Sequence, residues 1–194
     1  MRWERLFEDV ELQAAADEEW ARADLAGEAE RVRIARSTMR ERLIPWRDPG
    51  RIAPPALLRL AGEALRGRVV LVGEDVVAIA HEEGAVSIIR IGAIDALRLP
   101  AGDPVAPPIQ SALSDRLSFA YALRDCARRR RAVRVRLTNG AQLNGTLDRV
   151  GADYCDLAEH DPGQARRAAS VAEIWTLALG NISCVRVEQL DVDL

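Results

Sequence analysis

Residues 133–150 decide the fold of this chain; they read VRVRLTNGAQLNGTLDRV. From Val133 to Leu137, apolar residues alternate with arginines, which is the period of a strand with one buried face. The pair Asn139-Gly140 favours a tight hairpin turn of the primed type, and Gly145 marks a bend in the strand that follows. The stretch therefore predicts a β-hairpin whose second strand is strongly bent.

An internal repeat extends this pattern over most of the chain. Six residues of an earlier segment recur 78 positions later, and four more recur 88 positions later. The ten-residue difference between the two offsets fits one longer loop in the second copy of a duplicated domain. The matched pairs are Gly62 and Gly140, Leu65 and Leu143, Gly67 and Gly145, Gly73 and Gly151, Asp75 and Asp153, Ile79 and Leu157, Gly92 and Gly180, Ile94 and Ile182, Leu97 and Val185, and Leu99 and Val187.

Turn residues and apolar runs place the predicted elements. The N-terminal residues 1–48 carry the apolar stripe of a helix, and Thr38-x-x-Glu41 fits a capping box that starts a separate short helix. A second helix, capped by Ser111 or Ser114, introduces the second copy. We expect five short strands in each copy, namely 56–60, 65–72, 75–80, 86–91 and 94–99, then 133–137, 142–150, 154–158, 173–178 and 182–187.

These elements predict an α+β, mostly β chain: an N-terminal helix followed by two tandem small β-barrels. Its four parts are an N-terminal helical region (1–48), a first barrel (51–100), a proline-rich linker (101–113), and a helix plus second barrel (114–194). Short strands interrupted by regularly spaced glycines favour bent barrels over a flat sheet. The sheet edges of such barrels must be paired or covered. We therefore expect the two copies to pair with each other, or the chain to form a homodimer.

The composition favours a globular protein of the cytoplasm. The chain is 48% hydrophobic and has a net charge of −3, and all 27 basic residues are arginine. Its three cysteines are widely spaced without a Cys-x-x-Cys pair, which argues for reduced thiols and against a zinc site. The charged N-terminus does not resemble a signal peptide, and no apolar run reaches the roughly 20 residues of a membrane span. We expect no membrane association.

The second copy resembles the Sm/LSm-like family, which includes Hfq-type proteins. Residues 133–150 match the family's first motif, with its alternating strand, its polar-glycine turn and its glycine at the bend, and Leu179–Val185 resembles the second motif. The resemblance covers about 112–187 and, through the repeat, 51–100, but not 1–48; it implies tandem SH3-like barrels, Sm-like in type, that bind RNA. The family's uridine-binding asparagine is missing from Gly151–Asp156, and its arginine is missing from Leu179-Gly180-Asn181. The layout also resembles proteins of high-GC bacteria, which implies no activity.

An arginine-rich segment is the main candidate site. Between Arg116 and Arg136 the chain has eight arginines and one acidic residue, Asp125. One interpretation is a phosphate-binding patch for RNA or single-stranded nucleic acid; the other is a solvated helix end that pairs with acids elsewhere. Tyr154, where the family presents a stacking residue, is a base-stacking candidate or a half-buried strand tyrosine. The candidate nucleic-acid-binding residues are Arg128, Arg129, Arg130, Arg131, Arg134, Arg136 and Tyr154.

The remaining polar residues favour structural roles. His81 and His160 each follow a third strand beside acidic residues, but neither has the spacing of a metal site, so we expect polar turns, no metal and no cofactor. Asp75 and Asp153 follow glycine-containing turns and are expected to accept hydrogen bonds from turn amides. Cys155 alternates with polar neighbours and is predicted to be a core thiol.

The sequence therefore leaves two functions open, neither of them enzymatic. The first is a nucleic-acid-associated binding protein that uses the arginine-rich segment. The second is a protein-interaction adaptor that uses barrel edges and the N-terminal helix, which the net acidic charge favours. No nucleophile–base pair, phosphate loop or dinucleotide fingerprint is present, so we do not expect an enzyme.

Overall fold

A computed structural model describes residues 19–20, 22, 24–47, 54–100, 115–161 and 173–188. The chain divides into two compact units, Met1–Thr38 and Met39–Leu194. The described part of the first unit is a helix, α1, over 24–36, and the Ser37 N–H bonds the Ile34 carbonyl 3.1 Å away just after it ends. The predicted linker 101–113, the caps Ser111 and Ser114, and the C-terminal residues 189–194 lie outside the described residues.

The second unit is built mainly of antiparallel strands. A short helix starts directly after Thr38, as the capping box predicts. The three-residue 3-10 turns Ile91–Ala93 and Leu179–Asn181 stand at equivalent places in the repeat. The elements are α2 (Met39–Leu43), β1 (Ala56–Leu60), β2 (Glu63–Val72), β3 (Val76–Ala80), β4 (Val86–Arg90), β5 (Ala96–Arg98), α3 (Phe119–Arg128), β6 (Ala132–Leu137), β7 (Gln142–Val150), β8 (Tyr154–Glu159), β9 (Glu173–Ala178) and β10 (Ile182–Val187).

All ten strands belong to one open antiparallel sheet. Its order is β5-β1-β2-β3-β4-β10-β6-β7-β8-β9, so each copy contributes five strands in the same relative order. The α+β, mostly β class is confirmed, but two separately closed barrels are not, because β4 of the first copy bonds β10 of the second. We call this contact the joint. Its register places Ser87 opposite Arg186 and Ile89 opposite Cys184.

The two copies turn their first hairpins differently, which corrects one prediction. In the first copy, Ala61 (φ 45°) and Gly62 (φ 79°) both have positive φ, as a primed two-residue turn requires. In the second copy only Gly140 (φ 89°) is left-handed. Asn139 instead uses its side-chain oxygen to accept the Ala141 N–H at 3.0 Å, and this hydrogen bond stabilises a longer turn.

The bends predicted in β2 and β7 occur where two glycines allow neighbouring backbones to approach closely. A Cβ on Gly67 would lie 2.6 Å from the Ala80 carbonyl oxygen, and one on Gly145 would lie 2.2 Å from that of Ala158. The strand register shifts just beyond each glycine, between Val69 and Leu71 and between Leu147 and Arg149. Because the same irregularity recurs in both copies, the structure supports the repeat read from the sequence.

Two apolar cores fill the unit, one centred on each copy. In the first copy, Leu43 of α2 packs with strand residues such as Leu58 and Ile79. In the second copy, Phe119 and Leu123 of α3 pack on the strands. Helix α3 begins after Ser118, whose hydroxyl accepts the Tyr121 N–H at 3.2 Å. The apolar stripe of α3 and this cap together hold its C-terminal arginines at a fixed place on the sheet. Within the described residues, no helix is long and apolar enough to cross a membrane.

Candidate functional site

The C-terminal end of α3 presents three exposed arginines, which we call the helix-end arginine cluster: Arg128, Arg129 and Arg130. The Arg128 and Arg129 side chains, 72% and 56% exposed, both pair with Asp125 one turn earlier. Arg129 Nε lies 2.9 Å from one Asp125 oxygen, and Arg128 binds the other. Two of the three guanidinium groups therefore share one carboxylate, and the cluster keeps a surplus of positive charge.

These arginines stabilise the ionised form of the Asp125 carboxylate. Partial burial acts to raise the pKa of Asp125, but the hydrogen bond from Arg128 and the charges of both arginines outweigh it and lower the pKa. The carboxylate is therefore ionised near neutral pH. Arg131 is half-buried, unlike the three arginines of the cluster, and its backbone N–H bonds the Cys126 carbonyl at 3.2 Å. Arg130 has a left-handed φ of 50°, which ends the helix.

Arg134 and Arg136 do not join the cluster, although the sequence groups them with it. Both lie on β6, the strand next to the joint, where they line a cavity of about 40 Å³ together with Arg186 of β10. Arg134 bonds Glu188 at 3.2 Å, and Arg136 pairs with Glu63 of the first copy. These acids offset the charge of the two arginines, which therefore act as structural ion pairs between strands.

Tyr154 also stands apart from the cluster. It begins β8, and its exposed ring lies over Gly151, where an added Cβ would come 2.4 Å from the ring. Arg124, in the middle of α3, donates to the Gly151 carbonyl at 2.8 Å. The tyrosine thus lies beside the middle of the helix rather than its end. The structure brings Arg128, Arg129 and Arg130 together and leaves Arg134, Arg136 and Tyr154 elsewhere.

Both histidines are buried and have structural partners. His81 Nδ1 donates to the Arg66 carbonyl at 2.9 Å, and its Nε2 forms a hydrogen bond with the Ser87 hydroxyl at 2.8 Å. His160 makes the equivalent pair with the Asp161 carbonyl at 3.1 Å and the Thr146 hydroxyl at 2.9 Å. Both ring nitrogens of each imidazole therefore have hydrogen-bond partners within the fold. Among the residues that the structure describes, no group of three or more His, Cys, Asp or Glu side chains could hold a metal ion.

The cysteines are buried thiols in the two cores. Burial raises the pKa of Cys126 and Cys155 to about 11 and that of Cys184 to about 12. Thiols with such values stay protonated near neutral pH and are poor nucleophiles. The core position predicted for Cys155 is confirmed. Asp75 accepts a hydrogen bond as predicted, but from the Phe119 N–H at the start of α3, 2.6 Å away, rather than from its own turn.

An apolar groove of about 240 Å³ lies next to the cluster. It runs between α3 and strands β3 and β4, and its lining includes Ile88, Tyr121 and Cys126. Asp125 belongs to the same lining. The residue that binds two of the cluster's arginines therefore also borders this groove.

The two outer strands of the sheet form a second candidate surface. Along the part of the chain that the structure describes, β5 and β9 each have a strand neighbour on one side only. Strand β9 exposes Ile174 (63%) and Trp175 (43%). Trp175 Nε1 donates to Glu159 at 2.6 Å, which leaves the rest of its ring at the edge. Exposed apolar residues on an open edge favour pairing with another strand.

Sequence reasoning missed the residues that fasten the joint. Arg90 donates to the Gly180 and Ile182 carbonyls at 2.6 and 3.1 Å, and Arg186 pairs with Glu83. These contacts join residues 90 to 103 positions apart, so local periodicity carries no signal for them. The repeat is the one sequence signal for these contacts. Within its own copy, each of β4 and β10 has a strand neighbour on one side only, so the other side is open to pairing.

Comparison with known proteins gives this site no precedent. No family model, curated protein or solved structure matches the chain. The helix-end arginine cluster and the two edge strands are the candidate functional surfaces of the described residues.

Proposed function

We propose that this protein is a non-enzymatic, Sm-like binding protein that associates with RNA or single-stranded nucleic acid through the helix-end arginine cluster. The observation that carries the proposal is the charge at the end of α3, where Arg128 and Arg129 share the carboxylate of Asp125 and Arg130 adds a third exposed arginine. A rigid platform supports the cluster, because Leu123 and Phe119 anchor the helix in the core. Fixed, exposed guanidinium groups suit phosphate oxygens, which they can bind through two parallel hydrogen bonds.

The strand order supports the Sm-like part of the proposal. Each copy places its fifth strand beside its first and then continues through the second, third and fourth. Both copies also bend their long second strand at a glycine, Gly67 or Gly145. This arrangement fits two tandem small barrels of the SH3-like kind that share one sheet through the joint.

The test is fluorescence anisotropy with labelled, unstructured RNA and single-stranded DNA at two salt concentrations. The variant Arg128→Ala/Arg129→Ala/Arg130→Ala should lose most of the binding. A matched control, Arg31→Ala/Arg59→Ala/Arg66→Ala, removes the same charge from exposed positions outside the cluster and should bind as the wild type does. Equal loss in both variants would reduce the effect to net charge, and absence of wild-type binding at low salt would overturn the proposal.

A second candidate function is protein interaction through the sheet edges. The specific observation is the exposure of Ile174 and Trp175 on β9, an outer strand. Extended chains bind such edges by adding a strand, in which main-chain hydrogen bonds supply affinity and side chains supply specificity. The substitution Ile174→Lys tests this surface, since a charge on an edge strand opposes pairing.

The proposal places the protein in the cytoplasm and assigns it no catalysis. Its three cysteines are free, buried thiols, which suits a reducing compartment. Neither the arginine cluster nor the edge strands supply a nucleophile next to a base. Binding is therefore the activity that we assign to both surfaces.

A further inference from the structure

The joint is an antiparallel pairing of the last strand of one copy with the first strand of the other copy in the order of the sheet. Strand β4 of the first copy pairs with β10 of the second over four residue positions, from Val86 opposite Val187 to Ile89 opposite Cys184. Of the eight paired residues, six are buried, and Ile88 and Arg186 are half-buried. Val86 is 7% exposed and Cys184 is 4% exposed.

The two outer strands are the repeat counterparts of the strands in the joint. At the offset of 88 positions, β9 is the counterpart of β4, and β5 is the counterpart of β10. Ile174 thus corresponds to Val86, and Ala96 corresponds to Cys184. Both counterparts are exposed, whereas the joint residues are buried. The two outer strands of the sheet therefore correspond to the two strands that pair with each other at its centre.

The backbone of β9 presents the same hydrogen-bonding groups as that of β4. Just after β9, the Leu179 N–H donates to the Asp153 carbonyl at 2.8 Å. Just after β4, the Ile91 N–H donates to the Asp75 carbonyl at the same distance. Successive residues of an antiparallel strand point their amides to opposite sides. Ile174 and Thr176 therefore point their N–H and C=O groups outward, in step with the residues of β4 that bond β10.

We infer that the occupant of these edges is a second copy of this chain, bound head to tail. The β9 edge of one molecule pairs antiparallel with the β5 edge of the next, in the register of the joint: Ile174 opposite Leu99, Trp175 opposite Arg98, Thr176 opposite Leu97 and Leu177 opposite Ala96. This inference rests on the second candidate function and supplies its partner. A head-to-tail contact uses different surfaces on the two molecules, so it builds rings or filaments rather than stopping at a dimer.

The contact between copies is weaker than the joint that it repeats. In the joint, the Arg90 guanidinium bonds two carbonyls of the second copy. Its counterpart in β9 is Ala178, which has no donor to offer the carbonyls of Gly92 and Ile94. Strand β5 is also short, with three residues against the six of β10. Assembly should therefore be reversible and depend on protein concentration.

The experiment is sedimentation velocity over a concentration series, with the full chain and two single variants. The wild type should form species larger than a dimer as concentration rises. Ile174→Lys blocks the β9 edge and Ala96→Lys blocks the β5 edge, so each variant alone should stay monomeric. An equimolar mixture should form a dimer and nothing larger, because one intact β9 edge then meets one intact β5 edge. Ala64→Lys, at an exposed position on an inner strand, is the matched control and should assemble as the wild type does.

Three results would overturn the inference. They are a wild type that is monomeric at every concentration, an Ala96→Lys variant that still assembles, and a mixture that stays monomeric. Circular dichroism and thermal unfolding verify that each variant folds, and Thr176→Lys and Arg98→Asp replace a variant that does not. If the wild type is monomeric and captures another protein, and Ile174→Lys loses that capture, self-assembly is refuted. The protein-interaction function would still be supported. Anisotropy with RNA on the monomeric variants tests the nucleic-acid proposal separately.

Discussion

Removing the carboxylate of Asp125 should strengthen nucleic-acid binding, which is the opposite of what removing an arginine does. Asp125 neutralises part of the helix-end arginine cluster by pairing with Arg128 and Arg129. The variant Asp125→Asn keeps the size of the side chain and removes its charge. It raises the net charge of the cluster from two to three, counting Arg130.

The magnitude follows from the release of counterions. The logarithm of the binding constant for a single strand falls with the logarithm of salt concentration, with a slope of about −0.7 for each phosphate neutralised. A net charge of two gives a slope of about −1.4, and a net charge of three gives about −2.1. Between 50 and 200 mM salt, affinity should then fall about 7-fold in the wild type and about 18-fold in Asp125→Asn.

The assay is anisotropy of a labelled, unstructured RNA, titrated at several salt concentrations. Folding stability should change little, because exposed ion pairs contribute about 0–1 kcal/mol and an acid near a helix C-terminus opposes the helix dipole. Tighter binding at low salt and a steeper slope support the cluster as the phosphate site. Unchanged or weaker binding in a folded Asp125→Asn protein refutes the argument, since the carboxylate would then not compete with phosphate.

Two further predictions concern stability. Gly145→Ala places a Cβ 2.2 Å from a backbone carbonyl oxygen and should destabilise the fold by about 1–3 kcal/mol; Gly180→Ala, which meets no atom within 4 Å, should change it by less than about 0.5 kcal/mol in the same urea titration. Burial and the charge of Arg186 lower the pKa of His81, so the unfolded chain binds the proton more readily and stability should fall as pH drops below the ordinary histidine value of about 6.5. Urea unfolding at several pH values measures this loss; a folded His81→Gln variant should lose less stability than the wild type over the same pH range, and an equal loss in both would exclude His81 as its source.

The sequence predicts the bounds of the strands better than it predicts which strands pair with each other. Strands β1, β7, β9 and β10 have the predicted bounds, because alternation, turn residues and bend glycines act within a few positions. For α3 the observed cap is Ser118, whereas the predicted caps Ser111 and Ser114 lie outside the described residues. The single shared sheet depends on a pairing between β4 and β10 that no local pattern encodes.

The candidate site shows the same division between local and distant information. A charge run counts every arginine alike, yet Arg134 and Arg136 are offset by Glu188 and Glu63, which approach only through the folded sheet. For the cluster the offset is local, since Asp125 lies three and four positions before its two arginines. A run of arginines therefore becomes a binding surface only where the fold leaves fewer carboxylates than guanidinium groups. By this criterion the helix end has surplus positive charge, whereas Arg134 and Arg136, on the strand next to the joint, each have a carboxylate partner.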